Sequence, residues 1–336
     1  MKAIVYHTYG SPDVLKLEEV QKPAPQDNEV LVKVVAASVN AADWHLLRAD
    51  PFLARFAQGL LKPKNTILGV DVAGRVEAVG SKVTQFRPGD EVFGDLSACG
   101  YGTFAEFVCG TEDAFALKPA TLSLEQAATV PLAAVTALQG LRDSGKIQAG
   151  HKVLINGASG GVGTFAVQIA KAFGAEVTAV CSTGKVEMVR ALGADHVIDY
   201  TREDFTQNGL QYDLILAANG YHPLAAYQRA LSPKGIYVMT GGTMPQLFQA
   251  MLLGPWRSRN TKQKMGSLMA RPSQKDLLFV RELIDSGKVK PVIDRCYPLH
   301  RVPDAIRYLE EGHAAGKVVI NVEQPVTTPP NGALIN

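Results

Sequence analysis

Four glycines and a serine follow a short apolar run in Asn156-Gly157-Ala158-Ser159-Gly160-Gly161-Val162-Gly163, and a helix-period pattern then continues through Thr164 to Phe173. Glycine has no Cβ, so a ligand can approach the backbone closely. The first N–H groups of a helix lack partners and lie at the positive end of its dipole. Strand, glycines and helix at this spacing hold a pyrophosphate, which is the chemistry of a dinucleotide site. The next apolar run, Glu176 to Val180, ends in Cys181-Ser182-Thr183-Gly184-Lys185. A site for NAD carries an acid there to bind the ribose 2′-OH, and none is present. Hydroxyls and a lysine suit a 2′-phosphate instead, since they donate hydrogen bonds and add positive charge. NADPH is therefore expected over NADH, the plainer reading being that Lys185 points to solvent. Tyr200 ends the third run, where its ring would cover the adenine or its hydroxyl reach the phosphate. An ordinary edge-strand tyrosine is the competing reading.

These residues need an alternating β/α frame to carry them. From Lys152 the apolar runs Val153–Asn156, Glu176–Val180, His196–Tyr200, Leu214–Ala218 and Ile236–Thr240 alternate with helical patterns to Phe173, over Lys185–Leu192 and near Leu224–Leu231. That alternation predicts an α/β fold with a parallel sheet covered by helices on both faces. Before it, Ala3–Tyr6, Glu29–Ala36, Val72–Val79, Glu91–Phe93 and Phe104–Val108 are short runs broken by turns such as Arg87-Pro88-Gly89-Asp90. They predict a β-rich, partly closed barrel. Ser123-Leu124-Glu125-Gln126 has the form of a capping box and opens the helical part. Met244 to Met269 does not resolve into one type, and Phe52 to Lys64 reads as a loop or short helix over a cleft. A helix from Asp276 should end at Gly287. After Lys290 the style returns to strands around one helix, Val302 to Leu309. The expected division is residues 1–122 as the first part of one domain and 123–290 as the inserted dinucleotide domain. Residues 291–324 return to the first domain, and 325–336 form a flexible tail.

The 336 residues are 46% apolar and 20% charged with a net charge of +2, an ordinary globular balance that gives no reason to expect nucleic acid. Cys99, Cys109, Cys181 and Cys296 show no metal-ligand spacing, and the seven histidines form no H-x-x-x-H or HExxH pattern. No G-x-S-x-G elbow offers a hydrolytic nucleophile. No leader or long apolar span is read, so the expectation is a cytoplasmic protein without membrane association. Phe52–Leu61 and Met244–Trp256 are apolar stretches read first as core or dimer packing, the alternatives being a substrate entrance or contact with a membrane surface.

Ser38-Val39-Asn40-Ala41-Ala42-Asp43-Trp44, Gly69-Val70-Asp71-Val72-Ala73-Gly74, Pro88-Gly89-Asp90-Glu91-Val92, Pro131 to Leu138 and Gly312-His313-Ala314-Ala315-Gly316-Lys317 accompany the glycine stretch. In this order they resemble the zinc-independent medium-chain dehydrogenase/reductases of the quinone oxidoreductase (zeta-crystallin-like) type. The resemblance implies a GroES-like catalytic domain with an inserted Rossmann domain. It implies NADPH-dependent, metal-independent reduction of a small-molecule quinone or of the C=C bond of an α,β-unsaturated carbonyl. It places Ser159, Gly160, Gly161 and Val162 on the pyrophosphate, and Ser182, Lys185 and Tyr200 at the 2′-phosphate. Thr136, Asn219, Gly241 and Ala315-Gly316-Lys317 fall on the nicotinamide half or flank. Asn40 is the catalytic candidate, its amide donating to the carbonyl oxygen as enolate charge develops, or else merely capping a turn. Zinc-dependent relatives have Gly-His-Glu where this chain has Gly69-Val70-Asp71, and their catalytic cysteine falls near Asn40. His45 stands where a tyrosine is usual. A homodimer through a strand edge is left open, as is a second class: an NADPH-binding scaffold or redox sensor of low turnover.

Overall fold

The computed structural model describes residues 1–52, 54–242, 244–259 and 261–323, so the tail expected over 325–336 lies outside the described residues. Six parallel strands form one sheet in the order His196–Asp199, Glu176–Cys181, Lys152–Asn156, Tyr212–Ala217, Leu231–Met239, Lys264–Ser267. Parallel neighbours need crossovers, and the helices Gly161–Ala172, Val186–Ala191 and Leu224–Ala230 supply them. Val153 and Ile155 point into one buried cluster with Phe165 and Ile169, while Leu154 points into another with Tyr227 and Tyr237. Both faces are covered, which is why this run is continuously apolar rather than alternating. From Lys152–Asn156 the chain moves to one side for two strands and then restarts on the other side with Tyr212–Ala217. The crevice beyond the carboxyl ends at this reversal is where open α/β sheets take ligands.

A second sheet has seven strands. Its order is Ile293–Pro298, Lys317–Asn321, Glu29–Val39, Asp71–Val79, Glu91–Asp95, Phe115–Leu117, with Phe107–Thr111 also paired to Glu29–Val39. The long Glu29–Val39 strand shifts register near Leu31 and Val34, and such bulges bend a strand. Its first half pairs with Phe107–Thr111 and its second half with Lys317–Asn321, so the sheet curls. The start of Lys317–Asn321, the end of Glu29–Val39, the start of Asp71–Val79 and the end of Glu91–Asp95 thereby meet at one end of this sheet.

The capping box forms as read. Ser123 Oγ accepts from Gln126 N at 3.2 Å, and Gln126 Oε1 accepts from Ser123 N at 3.0 Å. One expected strand shifts, and two stretches without an assignment acquire one. The strand expected over Phe104–Val108 is Phe107–Thr111, because Ala105 instead bridges to Ala3 of the Lys2–Val5 strand. Met244 to Met269 resolves into the helix Met244–Arg257 and the sixth strand Lys264–Ser267. Lys16–Glu19 forms a hairpin strand with Lys2–Val5, hidden in sequence by its charged residues.

Candidate functional site

Gly157 leaves its strand at φ +81°, and a Cβ there would lie 2.7 Å from the Asn219 nitrogen. A Cβ on Gly163 would lie 2.1 Å from the Gly157 carbonyl oxygen, so helix and strand touch backbone to backbone. At Gly160 the nearest heavy atom to a built Cβ is 3.7 Å away. Gly160 is the N-cap of the helix Gly161–Ala172 and no side chain caps that helix. Two glycines thus build the turn, and the third leaves room in front of a helix start. That space and those N–H groups fit a pyrophosphate.

The other expected residues stand at the carboxyl ends of neighbouring strands. Ser182 opens the turn Thr183–Lys185 after Glu176–Cys181. Lys185 Nζ donates to the His313 carbonyl, reaching the segment that leads into Ala315, Gly316 and Lys317. Tyr200, 60% exposed, follows His196–Asp199 with its N–H on the Cys181 carbonyl at 3.1 Å. Asn219 follows Tyr212–Ala217 and turns its Oδ1 to the Gly220 N–H at 2.8 Å. Gly241 follows Leu231–Met239 so closely packed that a Cβ would sit 2.4 Å from the Ala218 carbonyl. Thr136 is buried on the helix Pro131–Leu138, whose continuation rests through Gly140 on Leu216 and Thr240. The structure also brings an acid to this edge from the third strand. Asp199 accepts from Thr183 Oγ at 2.6 Å and Thr201 Oγ at 2.7 Å, bonds that hold it below the usual carboxylate range. Through Thr183 this carboxylate is held to the same short turn, Thr183–Lys185, that carries Lys185.

Across the crevice lies a buried polar centre. Lys317 Nζ donates to Asn40 Oδ1, to Asp71 Oδ2 at 3.2 Å and to the Val39 carbonyl at 3.3 Å. Asn40 Nδ2 donates to Asp71 Oδ2 at 2.9 Å and to the Ser38 carbonyl at 3.3 Å. Ser38 Oγ donates to Asp71 Oδ2 at 2.7 Å, and the Leu132 N–H donates to Asp71 Oδ1 at 2.8 Å. The lysine side chain is 3% exposed and the aspartate 0%. One carboxylate thus receives an ammonium, an amide, a hydroxyl and the N–H of a helix start. The centre is tied to the glycine loop by the Gly316 N–H, which donates to the Ser159 carbonyl at 2.9 Å.

Two of the expected site residues already have partners of their own in this geometry. Lys317 does not offer its ammonium to the cofactor flank; only its stem lies there, with Cδ 2.9 Å from where a Gly161 Cβ would be. Asn40 is the N-cap of the helix Ala41–Arg48 and forms a capping box with Asp43, while its amide also bonds Asp71 and Lys317. The helix start is served by Asp43, which accepts from the Asn40 N–H at 2.7 Å. His45 stacks on Trp44 and has Nδ1 2.9 Å from the Asp50 carbonyl.

Residues 26–120 match the alcohol dehydrogenase GroES-like domain, and residues 192–320 match a domain described as zinc-binding dehydrogenase. A 2-methylene-furan-3-one reductase of Solanum lycopersicum is 38% identical over 333 residues, 96% of this chain and 79% of the relative. An NADPH-dependent alkenal/one oxidoreductase of Arabidopsis thaliana is 37% identical over 336 residues, 95% of this chain and 79% of the relative. The solved quinone oxidoreductase from Coxiella burnetii superposes with a TM-score of 0.86 at 30% identity, covering 96% of this chain and 99% of that one. The chain belongs to the medium-chain dehydrogenase/reductase family, of the quinone oxidoreductase type.

In this medium-chain dehydrogenase/reductase the sequence reading passed over Asp71 and Asp43 as working residues. The signal for Asp71 is a lone acid inside Val70-Asp71-Val72-Ala73, a charge in a run that must be buried. Asp43, also buried, accepts from the Asn40 N–H and from the Gly69 N–H at 3.1 Å. Burial nonetheless pushes its carboxyl up to about 7. A folded value above the unfolded one, about 4, gives stability that is complete below about pH 4 and lost as pH rises through about 7. Asp95, opposite Asp71, is pushed up to about 6 by burial and by Asp71, and adds to the same fall. The urea midpoint is expected to drop between about pH 4 and 7, and Asp43→Asn to flatten part of that drop. An unchanged midpoint across the range would refute it.

The apolar segment expected over a cleft is more open than that reading. Phe56 and Leu61 are exposed, and Leu60 to Lys64 with His7 and Thr66 line a hollow of about 620 Å³. None of the expected site residues lines it.

Proposed function

We propose that this oxidoreductase uses NADPH to reduce the C=C bond of α,β-unsaturated carbonyls, or quinones, without a metal. The observation that carries this reading is the meeting, at the sheet's reversal point, of an open glycine loop with the Asn40 centre through the Gly316–Ser159 bond of 2.9 Å. The relatives' names, an alkenal/one oxidoreductase and a quinone oxidoreductase among them, support the acceptor class. When bound, NADPH supplies the hydride. The N–H groups of Ser159, Gly161 and Val162 would hold its pyrophosphate in the space that Gly160 leaves open, Ser182, Lys185 and Tyr200 its ribose phosphate, and Thr136, Asn219, Gly241, Ala315, Gly316 and the stem of Lys317 its remaining flank. Asn40 faces the acceptor side. Its bond to the Ser38 carbonyl, 3.3 Å, is the longer of its two donor bonds. Exchanging that bond for the acceptor's oxygen would stabilise charge developing there.

The donor set speaks for a metal-free centre. Val70 has no ligand atom, and both oxygens of Asp71 already accept from protein donors, one of them an ammonium. Incubation with NADPH and a panel of enones and quinones, with and without chelator, tests the proposal. NADPH oxidation indifferent to chelator is expected. Loss with chelator and recovery with Zn²⁺ would remove the metal-free claim. Tight NADPH binding without oxidation would favour a low-turnover scaffold or sensor, a reading to which the fully bonded Asn40 amide lends weight. The outer edge of Lys264–Ser267 is the strand edge through which a homodimer would pair, and light scattering reports it.

Lys185 decides the cofactor. In Lys185→Ala a charge-assisted bond to the 2′-phosphate is lost, so NADPH affinity should fall about tenfold to 100-fold. NADH affinity should stay within about threefold, since NADH offers no such partner. Equal losses in the two titrations would take Lys185 out of the phosphate site.

A further inference from the structure

We propose that Lys317 is a positioning residue: its buried ammonium fixes the orientation of the Asn40 carboxamide and ties that orientation to the glycine loop. An amide side chain has two faces, an oxygen that accepts and a nitrogen that donates, and rotation about its last bond exchanges them. Lysine can only donate. With Lys317 Nζ on Asn40 Oδ1, the nitrogen of Asn40 is forced towards Asp71 Oδ2, where it lies at 2.9 Å. The reversed amide would set N–H groups against an ammonium and an oxygen against a carboxylate. Asp71 alone does not give this selection as strongly, since its Oδ2 is already served by Ser38 at 2.7 Å and Lys317 at 3.2 Å.

The same lysine is anchored on the other side of the crevice. Its neighbour Gly316 bridges Gly160, and the Gly316 N–H donates to the Ser159 carbonyl at 2.9 Å. Gly316 has φ +105°, and a Cβ would fall 2.4 Å from the Val292 carbonyl, so this turn admits little variation. The Lys317 stem packs on Gly161. Asp71, its ion-pair partner, receives the Leu132 N–H at the start of Pro131–Leu138, the helix that carries Thr136. Lys317 is therefore the residue through which the loop, that helix and Asn40 share one geometry. A small misplacement of a positioned group can slow a reaction on the order of 100-fold.

This rests on the reading of Asn40 as the residue facing the acceptor, so the test has one arm with turnover and one without. Lys317→Met is compared with Asn40→Ala, with Lys317→Met/Asn40→Ala and, to guard against misfolding from an unpaired Asp71, with Lys317→Met/Asp71→Asn. In enone or quinone reduction, Lys317→Met should lower kcat on the order of 100-fold and leave NADPH affinity within about threefold, because methionine keeps the apolar stem that lies on Gly161 and removes only the ammonium. Adding Lys317→Met to Asn40→Ala should cost no further turnover, because two changes that act through one group do not multiply. In the second arm, asparagine side chains are labelled with ¹⁵N. The two Asn40 amide protons should give separate, slowly exchanging signals in the native protein. They should broaden or move in Lys317→Met and in its double variant with Asp71→Asn. Multiplying losses, or Asn40 signals unmoved by loss of the ammonium, would overturn the proposal. A native protein that oxidises no NADPH but shows the signal change would remove the activity reading and leave the positioning role standing.

Discussion

Asp71→Ala is expected to destabilise the protein by about 3–5 kcal/mol, the range found when one partner of a buried ion pair is removed. The argument starts from what the carboxylate receives. Lys317, 3% exposed, has no water to turn to, and the Val39 carbonyl and Asn40 Oδ1 carry no full charge. Alanine would leave that ammonium with only neutral acceptors. It would also strip Ser38 Oγ and the Leu132 N–H of partners, and the latter is at a helix start. Lys317→Met/Asp71→Asn should lose much less. The charge disappears from both sides, and the asparagine oxygen still accepts from Leu132. Urea denaturation of the three proteins measures this. A double variant as unstable as Asp71→Ala would show that the charges themselves are what hold the centre together.

That ion pair also marks the limit of what the residues disclose before folding. Strand runs with β-branched cores, such as Lys152–Asn156 and Glu29–Val39, were legible because each is specified locally by its own side chains. So was the phosphate loop, where turn, close approach and helix start all lie within one stretch. Lys264–Ser267 was not legible, since it sits at a sheet edge and needs no apolar alternation. The polar centre was half legible. Asp71 in an apolar run and Lys317 ahead of Val318-Val319-Ile320 each announce a charge that must be buried, and buried charges of opposite sign seek each other. Yet they are 246 residues apart, and only the pairing of both strands with Glu29–Val39 brings them together. The partners that Asn40 and Lys317 hold were not legible for the same reason. Sequence reveals which groups a residue carries, but not which of them its neighbours have already engaged.

Three of the loop's four glycines should separate folding from binding. At Gly163 a Cβ would stand 2.1 Å from the Gly157 oxygen and 2.7 Å from Ala158, all backbone that cannot swing aside. Gly163→Ala must push the helix Gly161–Ala172 off its strand. A loss of about 3 kcal/mol or more is expected, at the upper end for overpacking because backbone rather than side chain has to move. At Gly157, alanine would meet both a φ of +81° and the Asn219 backbone at 2.7 Å, with a loss of similar size. Gly160 is different. Its φ of −84° and ψ of −179° suit any residue, and the nearest atom to an added Cβ is 3.7 Å away. Gly160→Ala should therefore keep the native urea midpoint, within about 1 kcal/mol of stability. The added methyl would occupy the space left for the pyrophosphate, so NADPH affinity should fall about tenfold or more. Fluorescence titration with NADPH beside urea unfolding reads both quantities. A Gly160→Ala protein that binds NADPH as the native one does would show that the open space before this helix is not where the phosphates lie.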